Sequence, residues 1–217
     1  MKIIIIMGAP GSGKGTQSKI LKDLYNIAHI STGDILRSEV ELKTKLGIEI
    51  KNLLDQGSLV DDDIMNNLIK QRILKDDCSN GFILDGYPRT LNQAKLLDDI
   101  FSNFKFLDYK VIEIDISDEI IVHRILGRYS CSDCNSIYND YFLPTKETGI
   151  CDKCGGKNLN RRTDDKLDTV KSRLKTYHEQ SVPVLSYYKD KKRSHTIKGD
   201  LDGESCKKIL SDIIGSV

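Results

Sequence analysis

Residues 8–16, "GAPGSGKGT", decide how this chain is read. Nine residues carry four glycines, one proline and one lysine, with no bulky side chain. Directly before them stands "KIIIIM", residues 2–7. Its run of isoleucines suits a strand buried on both faces, as in a parallel sheet. From Lys14 the pattern turns helical, with Ile20, Leu21 and Leu24 apolar and polar residues between. The glycines therefore join a buried strand to a helix. Gly8, Gly13 and Lys14 satisfy G-x-x-x-x-G-K, the spacing of a phosphate-binding loop. Glycines let backbone N–H groups converge on an anion, and the helix N-terminus adds partial positive charge. Lys14 supplies a full charge for the outer phosphates. The Ser or Thr expected after the lysine is displaced by one: Gly15 stands there and Thr16 follows. A glycine turn without ligand is the competing reading; the strand before and the helix after favour the phosphate loop.

Outward from this loop, strand-like runs fall at 2–7, 28–31, 81–85, 109–115 and 195–198. Helical patterns occupy 14–24, 33–56 with a break near Gly47, 62–75, 90–101, 117–127, 165–180 and 203–214. The alternation predicts an α/β fold with a parallel sheet flanked by helices on both faces. Two segments stand outside it. Residues 32–61 insert helices between the second and third strands. Residues 127–163 are rich in Cys, Asp, Asn, Gly and Thr and show little periodicity, which calls for an explanation in a folded domain.

The 217 residues are 39% hydrophobic and 30% charged, a globular composition for one domain with insertions. Net charge is +1, aromatics make up 6%, and Trp is absent, so neither a basic footprint nor a stacking platform for nucleic acid is evident. The apolar run at the N-terminus is shorter than the about 7–15 residues of a signal h-region. No stretch approaches the ~18 apolar residues of a membrane span. These readings lead us to expect a cytoplasmic chain with no membrane or nucleic-acid partner. In such a compartment six cysteines read as metal ligands or free thiols.

Four of them explain the aperiodic segment. Cys131 and Cys134 enclose two residues, Cys151 and Cys154 enclose two more, and sixteen separate the pairs. This is the spacing of a closed tetrahedral zinc site, which leaves no place for water and is structural. A redox dithiol, unrelated free thiols, a nucleic-acid-binding zinc ribbon and iron in place of zinc are the alternatives. Cys78 and Cys206 stand alone and read as small core hydrophobes.

Asp85 ends the strand "GFILD", where ligands of parallel α/β sheets gather. It could hold Mg²⁺ beside loop-bound phosphates, or it could cap a turn. Arg124 and Arg128 lie i, i+4 at a helix end; they repel unless an anion bridges them, although the helix dipole also favours them there. Arg161 and Arg162 precede "TDD" and Arg173 follows on the next helix, so arginines flank the cysteine segment on both sides.

"GAPGSGKGT", "STGDILR", "DGYPRT", "RILGR", the four cysteines and "RRTDD" stand in the order of the adenylate kinase family. Over essentially its whole length the chain resembles the long form of that family, with a zinc-bearing lid. The resemblance implies a P-loop NTPase core of residues 1–31, 62–126 and 164–217, an AMP-binding insert at 32–61 and a lid at 127–163. It implies transfer of a phosphoryl group from Mg²⁺-bound ATP to AMP, giving two ADP. Gly11, Ser12, Gly13, Lys14, Gly15 and Thr16 would hold ATP phosphates, and Arg124 would pack on the ATP base. Thr32, Gly33, Arg37, Val60, Gly86 and Arg89 would form the AMP pocket, with Gln93 reading the adenine edge. Arg128, Arg162 and Arg173 would clamp the phosphates, and Asp85 would position Mg²⁺ through water. No histidine is required as a base. Asp61 replaces the Pro, Ser or Thr usual there and should alter only a helix cap; Thr163 departs from the usual residue without catalytic consequence. Nothing marks an association surface, so a monomer is expected.

Overall fold

Ile3, Ile4, Ile5 and Ile6 form the middle of β1 (Lys2–Gly8), and none exceeds 3% exposure. A strand needs such a run only when helices cover both sheet faces. The structure is a computed structural model that describes residues 1–106, 108–201 and 203–215. Positions 107, 202, 216 and 217 of the expected core segments lie outside the described residues.

After β1 come α1 (Lys14–Tyr25), β2 (Ala28–Ser31), α2 (Thr32–Glu41), α3 (Lys45–Gln56) and α4 (Asp62–Ile73). Then follow β3 (Gly81–Asp85), α5 (Leu91–Asn103), β4 (Tyr109–Asp115) and α6 (Asp118–Leu126). The cysteine segment holds β5 (Arg128–Cys131), β6 (Ile137–Asn139) and β7 (Leu159–Asn160). The chain closes with α7 (Leu167–Thr176), α8 (Val182–Asp190), β8 (Ser194–Lys198) and α9 (Gly203–Ile214).

The main sheet runs β2-β3-β1-β4-β8, all parallel, as the strand–helix alternation predicts. The period-two geometry of β1 divides the core. Ile3, Ile5 and Met7 pack with Phe82, Leu84 and Val111 under α4, α5 and α8. Ile4 and Ile6 pack with Ile83, Ile112, Leu21 and Leu210 under α1 and α9. Each fully buried isoleucine contributes about 1.5–3 kcal/mol. Parallel register sets Ser31 beside Asp85 and Ile6 beside Asp85, so the carboxyl ends of β1, β2 and β3 share one edge. The 8–16 loop, Thr32 and Gly86 all leave that edge.

Three details differ from the sequence expectations. The break in the 33–56 pattern lies at 42–44, where Lys43 takes φ +51°, and Gly47 sits inside α3. Gly47 has a different reason: a Cβ there would fall 2.0 Å from the Glu39 carbonyl oxygen of α2. Glycine permits the two helices to touch. Second, α8 was not expected, although Val184, Leu185 and Tyr188 form its buried face. Pro183 in its first turn obscures the helical reading, yet its missing N–H has no helical partner there. Third, residues 127–163 are not without secondary structure: they form an antiparallel sheet of order β6-β5-β7. Its strands are too short to show periodicity. The expected cap change holds, since Asp61 accepts from the backbone N–H groups of Asp63 and Ile64 at the start of α4.

Candidate active site

Gly13 caps α1 with φ +105°, a conformation that side-chain-bearing residues rarely adopt. Within the loop the Ser12 N–H donates to the Ala9 carbonyl at 3.1 Å, and the Thr16 N–H donates to the Gly13 carbonyl at 3.0 Å. The Ser12 hydroxyl is buried and has no hydrogen-bond partner among the described residues. Lys14 Nζ donates to the carbonyls of Gly8 (2.8 Å) and Ala9 (2.7 Å), across the loop. Burial lowers the Lys14 ammonium to about 8; Asp85 works against that shift, while Arg89 and Arg128 reinforce it.

Asp85 is 8% exposed at the end of β3. Its Oδ2 lies 3.1 Å from His29 Nε2, on the neighbouring strand β2. Thr32 Oγ1 donates to the Gly86 carbonyl at 2.9 Å, and Arg89 Nε donates to the same oxygen at 2.7 Å. Thr32, Val60, Gly86, Arg89 and Gln93 thus line one cleft, floored by Leu36 and Met65. Arg89 makes no ion pair among the described residues, and burial lowers its pKa. A larger hollow of about 330 Å³, between Phe101, Phe106 and Arg193, involves none of these residues.

Arg37, Arg128, Arg162 and Arg173 lie against carboxylates. Asp34 pairs with Arg37 and lies 3.9 Å from Arg162. Gly33 sits under the Arg37 guanidinium. Arg128 forms two bonds to Asp165, and Arg173 pairs with Asp164. Burial works to raise Asp34 and Asp164, but the arginines prevail and hold both below the usual carboxylate range. Burial, with Arg128 and Arg37 nearby, lowers Arg162 to about 10. Arg124 donates to the Ser12 carbonyl at 3.3 Å and faces the Phe142 ring at 5.9 Å.

The sulfur atoms of Cys131, Cys134, Cys151 and Cys154 all lie within 4.8 Å of one another. Two pairs approach to 3.6 and 3.5 Å. Four Zn–S bonds of ~2.3 Å in a tetrahedron require sulfur edges near ~3.8 Å, so the cluster fits a tetrahedral metal. A bond with the Tyr138 hydroxyl favours thiolate at Cys151.

The model of the adenylate kinase family matches residues 6–193. The chain belongs to the adenylate kinase family. It is 46% identical to the adenylate kinase of Thermosipho africanus, over 97% of this chain and 98% of that one. It is 41% identical to that of Enterococcus faecalis, over 97% and 96%, and 41% identical to that of Clostridium tetani, over 99% of each. Members of this family transfer a phosphoryl group from ATP to AMP, giving two ADP.

In this member the structure brings the loop, Asp85 and the Thr32–Gln93 cleft to one sheet edge. It places the four cysteines in one cluster, inside the small antiparallel sheet. Sequence reading missed His29, Asp34, Asp62, Phe142 and the carboxylate partners Asp164 and Asp165. The last two were visible in "RRTDD", and Asp34 lies i, i+3 from Arg37, but only the fold says which cation each acid meets. Among the described residues, no helix is long and apolar enough to cross a membrane.

Proposed function

We propose that the loop and the cleft are the two nucleotide sites of a reversible phosphotransferase, Mg·ATP + AMP giving two ADP. One observation carries the reading: Lys14 and Arg89, both partly buried, make no ion pair among the described residues, and both feel the charge of Asp85 at the same sheet edge. Cations so placed are suited to phosphates. The unpartnered Ser12 hydroxyl adds a donor inside the loop.

An AMP phosphate oxygen is the nucleophile. The second pKa of a phosphate monoester is near ~6, so the group arrives mainly as a dianion and no general base is needed. The oxygen attacks the terminal phosphorus of ATP, and the bond to the bridging oxygen breaks. The electron pair leaves with the first ADP, and the former AMP becomes the second. The difficulty is like-charge repulsion. Lys14 and the loop N–H groups hold the donor phosphates, and Arg89 with Arg37 holds the acceptor phosphate. Arg128, Arg162 and Arg173 neutralise the transferring group. Arg124 and Phe142 offer two faces to the donor base. Bound Mg²⁺, for which Asp85 is the placed carboxylate, would supply further charge neutralisation on the donor phosphates. The inserts 32–61 and 127–163 act as the AMP-binding flap and the lid that exclude water. The metal of the four-cysteine cluster is zinc with a structural role. The chain acts in the cytoplasm as a monomer.

The test is ADP formation from Mg·ATP with AMP, GMP, CMP or UMP as acceptor, with ATP-alone and GTP-donor controls. Fast turnover with AMP only is expected. Preference for another acceptor would move the specificity, and no transfer by folded, zinc-replete protein would overturn the assignment.

A further inference from the structure

Gln93 is 2% exposed, and its amide is held at both ends. Its Oε1 accepts from the backbone N–H of Arg89 at 2.8 Å, and its Nε2 donates to Asp62 Oδ1 at 2.7 Å. A backbone N–H can only donate and a carboxylate can only accept. The two partners together therefore decide which end of the amide carries oxygen. Asp62 is itself fixed: its Oδ2 receives the Thr90 hydroxyl at 3.0 Å and the Asn92 amide at 2.9 Å.

We propose that Asp62 is a positioning residue for base selection: by fixing the Gln93 amide, it makes the cleft choose a 6-aminopurine monophosphate over a 6-oxopurine one. The proposal rests on the reading of Gln93 as the residue that meets the acceptor base. With one lone pair and one hydrogen committed, the amide has one acceptor and one donor left for the base. Adenine offers its 6-amino donor beside a ring-nitrogen acceptor. A 6-oxopurine replaces that donor with an acceptor and needs the amide reversed. Reversal would set Nε2 against the Arg89 N–H and Oε1 against the Asp62 carboxylate. Donor then faces donor and acceptor faces acceptor, so the wrong base is opposed by the protein's own network.

Inosine monophosphate is the apt probe, because it carries the 6-oxo group without the 2-amino group of GMP. The experiment compares the KM for AMP with the inhibition constant for IMP, in wild type, Asp62→Asn and Gln93→Leu. Asparagine keeps the shape of Asp62 but can present N–H to a reversed Gln93. The expected result is a fall of about tenfold in the AMP-over-IMP preference in both variants. In Asp62→Asn, kcat with saturating AMP should stay within about threefold of wild type. Should Asp62→Asn not fold, Asp62→Ser serves the same comparison. An unchanged preference in Asp62→Asn with a lowered one in Gln93→Leu overturns the role of Asp62 alone. Parallel weakening of both nucleotides in Asp62→Asn does the same, because it marks a purely structural contact. An unchanged preference in Gln93→Leu overturns the reading of Gln93 and the proposal with it.

Discussion

Asp165 grips Arg128 with both carboxylate oxygens, Oδ2 to Nε at 2.9 Å and Oδ1 to Nη2 at 2.5 Å. Arg128 opens β5, and Asp165 lies just beyond the return of the cysteine segment, so the pair ties its two ends. The side chains are 18% and 3% exposed, and Arg173 approaches the same carboxylate at 3.9 Å. Asp165→Asn keeps the shape and removes the charge. It leaves two guanidinium groups with one acidic partner fewer in a mostly buried place. The expected loss of stability is about 1–3 kcal/mol, between the values for exposed and buried pairs. Urea unfolding with an unshifted midpoint would show that the pair contributes nothing.

With Lys14 as the proposed phosphate contact, ATP binding should be sensitive to pH. Its folded-state value of about 8 lies below the ordinary 10.5, chiefly through burial. In the free enzyme the ammonium therefore loses its proton as pH rises through about 8. A bound polyphosphate favours the charged form, so ATP binding above that pH must take up a proton. Calorimetry at pH 8.5 in two buffers of different ionisation enthalpy should show this uptake, and affinity should weaken from pH 7 to 9.5. The sign for folding is opposite: this group adds stability as pH rises from about 8 toward 10.5, because the unfolded chain then binds the extra proton. Buffer-independent enthalpies would remove Lys14 from the phosphate contacts.

The arginines are not equivalent. Arg89 has its Nε on the Gly86 carbonyl and no acidic partner among the described residues. Arg161 pairs with Asp140 while half-exposed and lies over the Tyr129 ring. Arg89→Ala should lower kcat/KM by about 10²–10³-fold, as loss of one preorganised charge does. Arg161→Ala should stay near wild type. Steady-state kinetics on the two variants decide it, and equal effects would deny the distinction.

The parallel sheet was legible because four consecutive isoleucines fit only a strand covered on both faces. The phosphate loop was legible because its chemistry is local: the glycines, Lys14 and the helix start are contiguous. The cysteine cluster was legible from spacing alone. The Asp62–Gln93 contact was not, because it joins the start of α4 to the start of α5 across thirty-one residues. The pairings of Arg128 and Arg173 with adjacent aspartates were hidden for a related reason. Two acids and several arginines in one motif allow many matches, and only packing selects among them. Gly47 was read as a helix break because glycine is a poor helix former, whereas the approach of a second helix is a tertiary fact.

The cysteine segment should depend on its metal for stability. Its buried cluster holds Cys131, Tyr138 and Cys151, with Tyr129, Cys134 and Leu159 partly buried around it. Three of these six side chains are metal-spaced thiols, so little apolar surface remains to hold the sheet together. Metal coordination at the four cysteines would then supply what a hydrophobic core does elsewhere. Protein prepared without chelator should contain about one zinc per chain. Stripping it, or replacing Cys131 and Cys151 together by serine, should lower the melting temperature by several degrees or more. The main sheet and the 8–16 loop share no residue with this cluster, so ATP binding measured well below both transitions should change far less than stability. Elemental analysis finding no metal, or a melting curve unmoved by its removal, would overturn this account of how the segment folds.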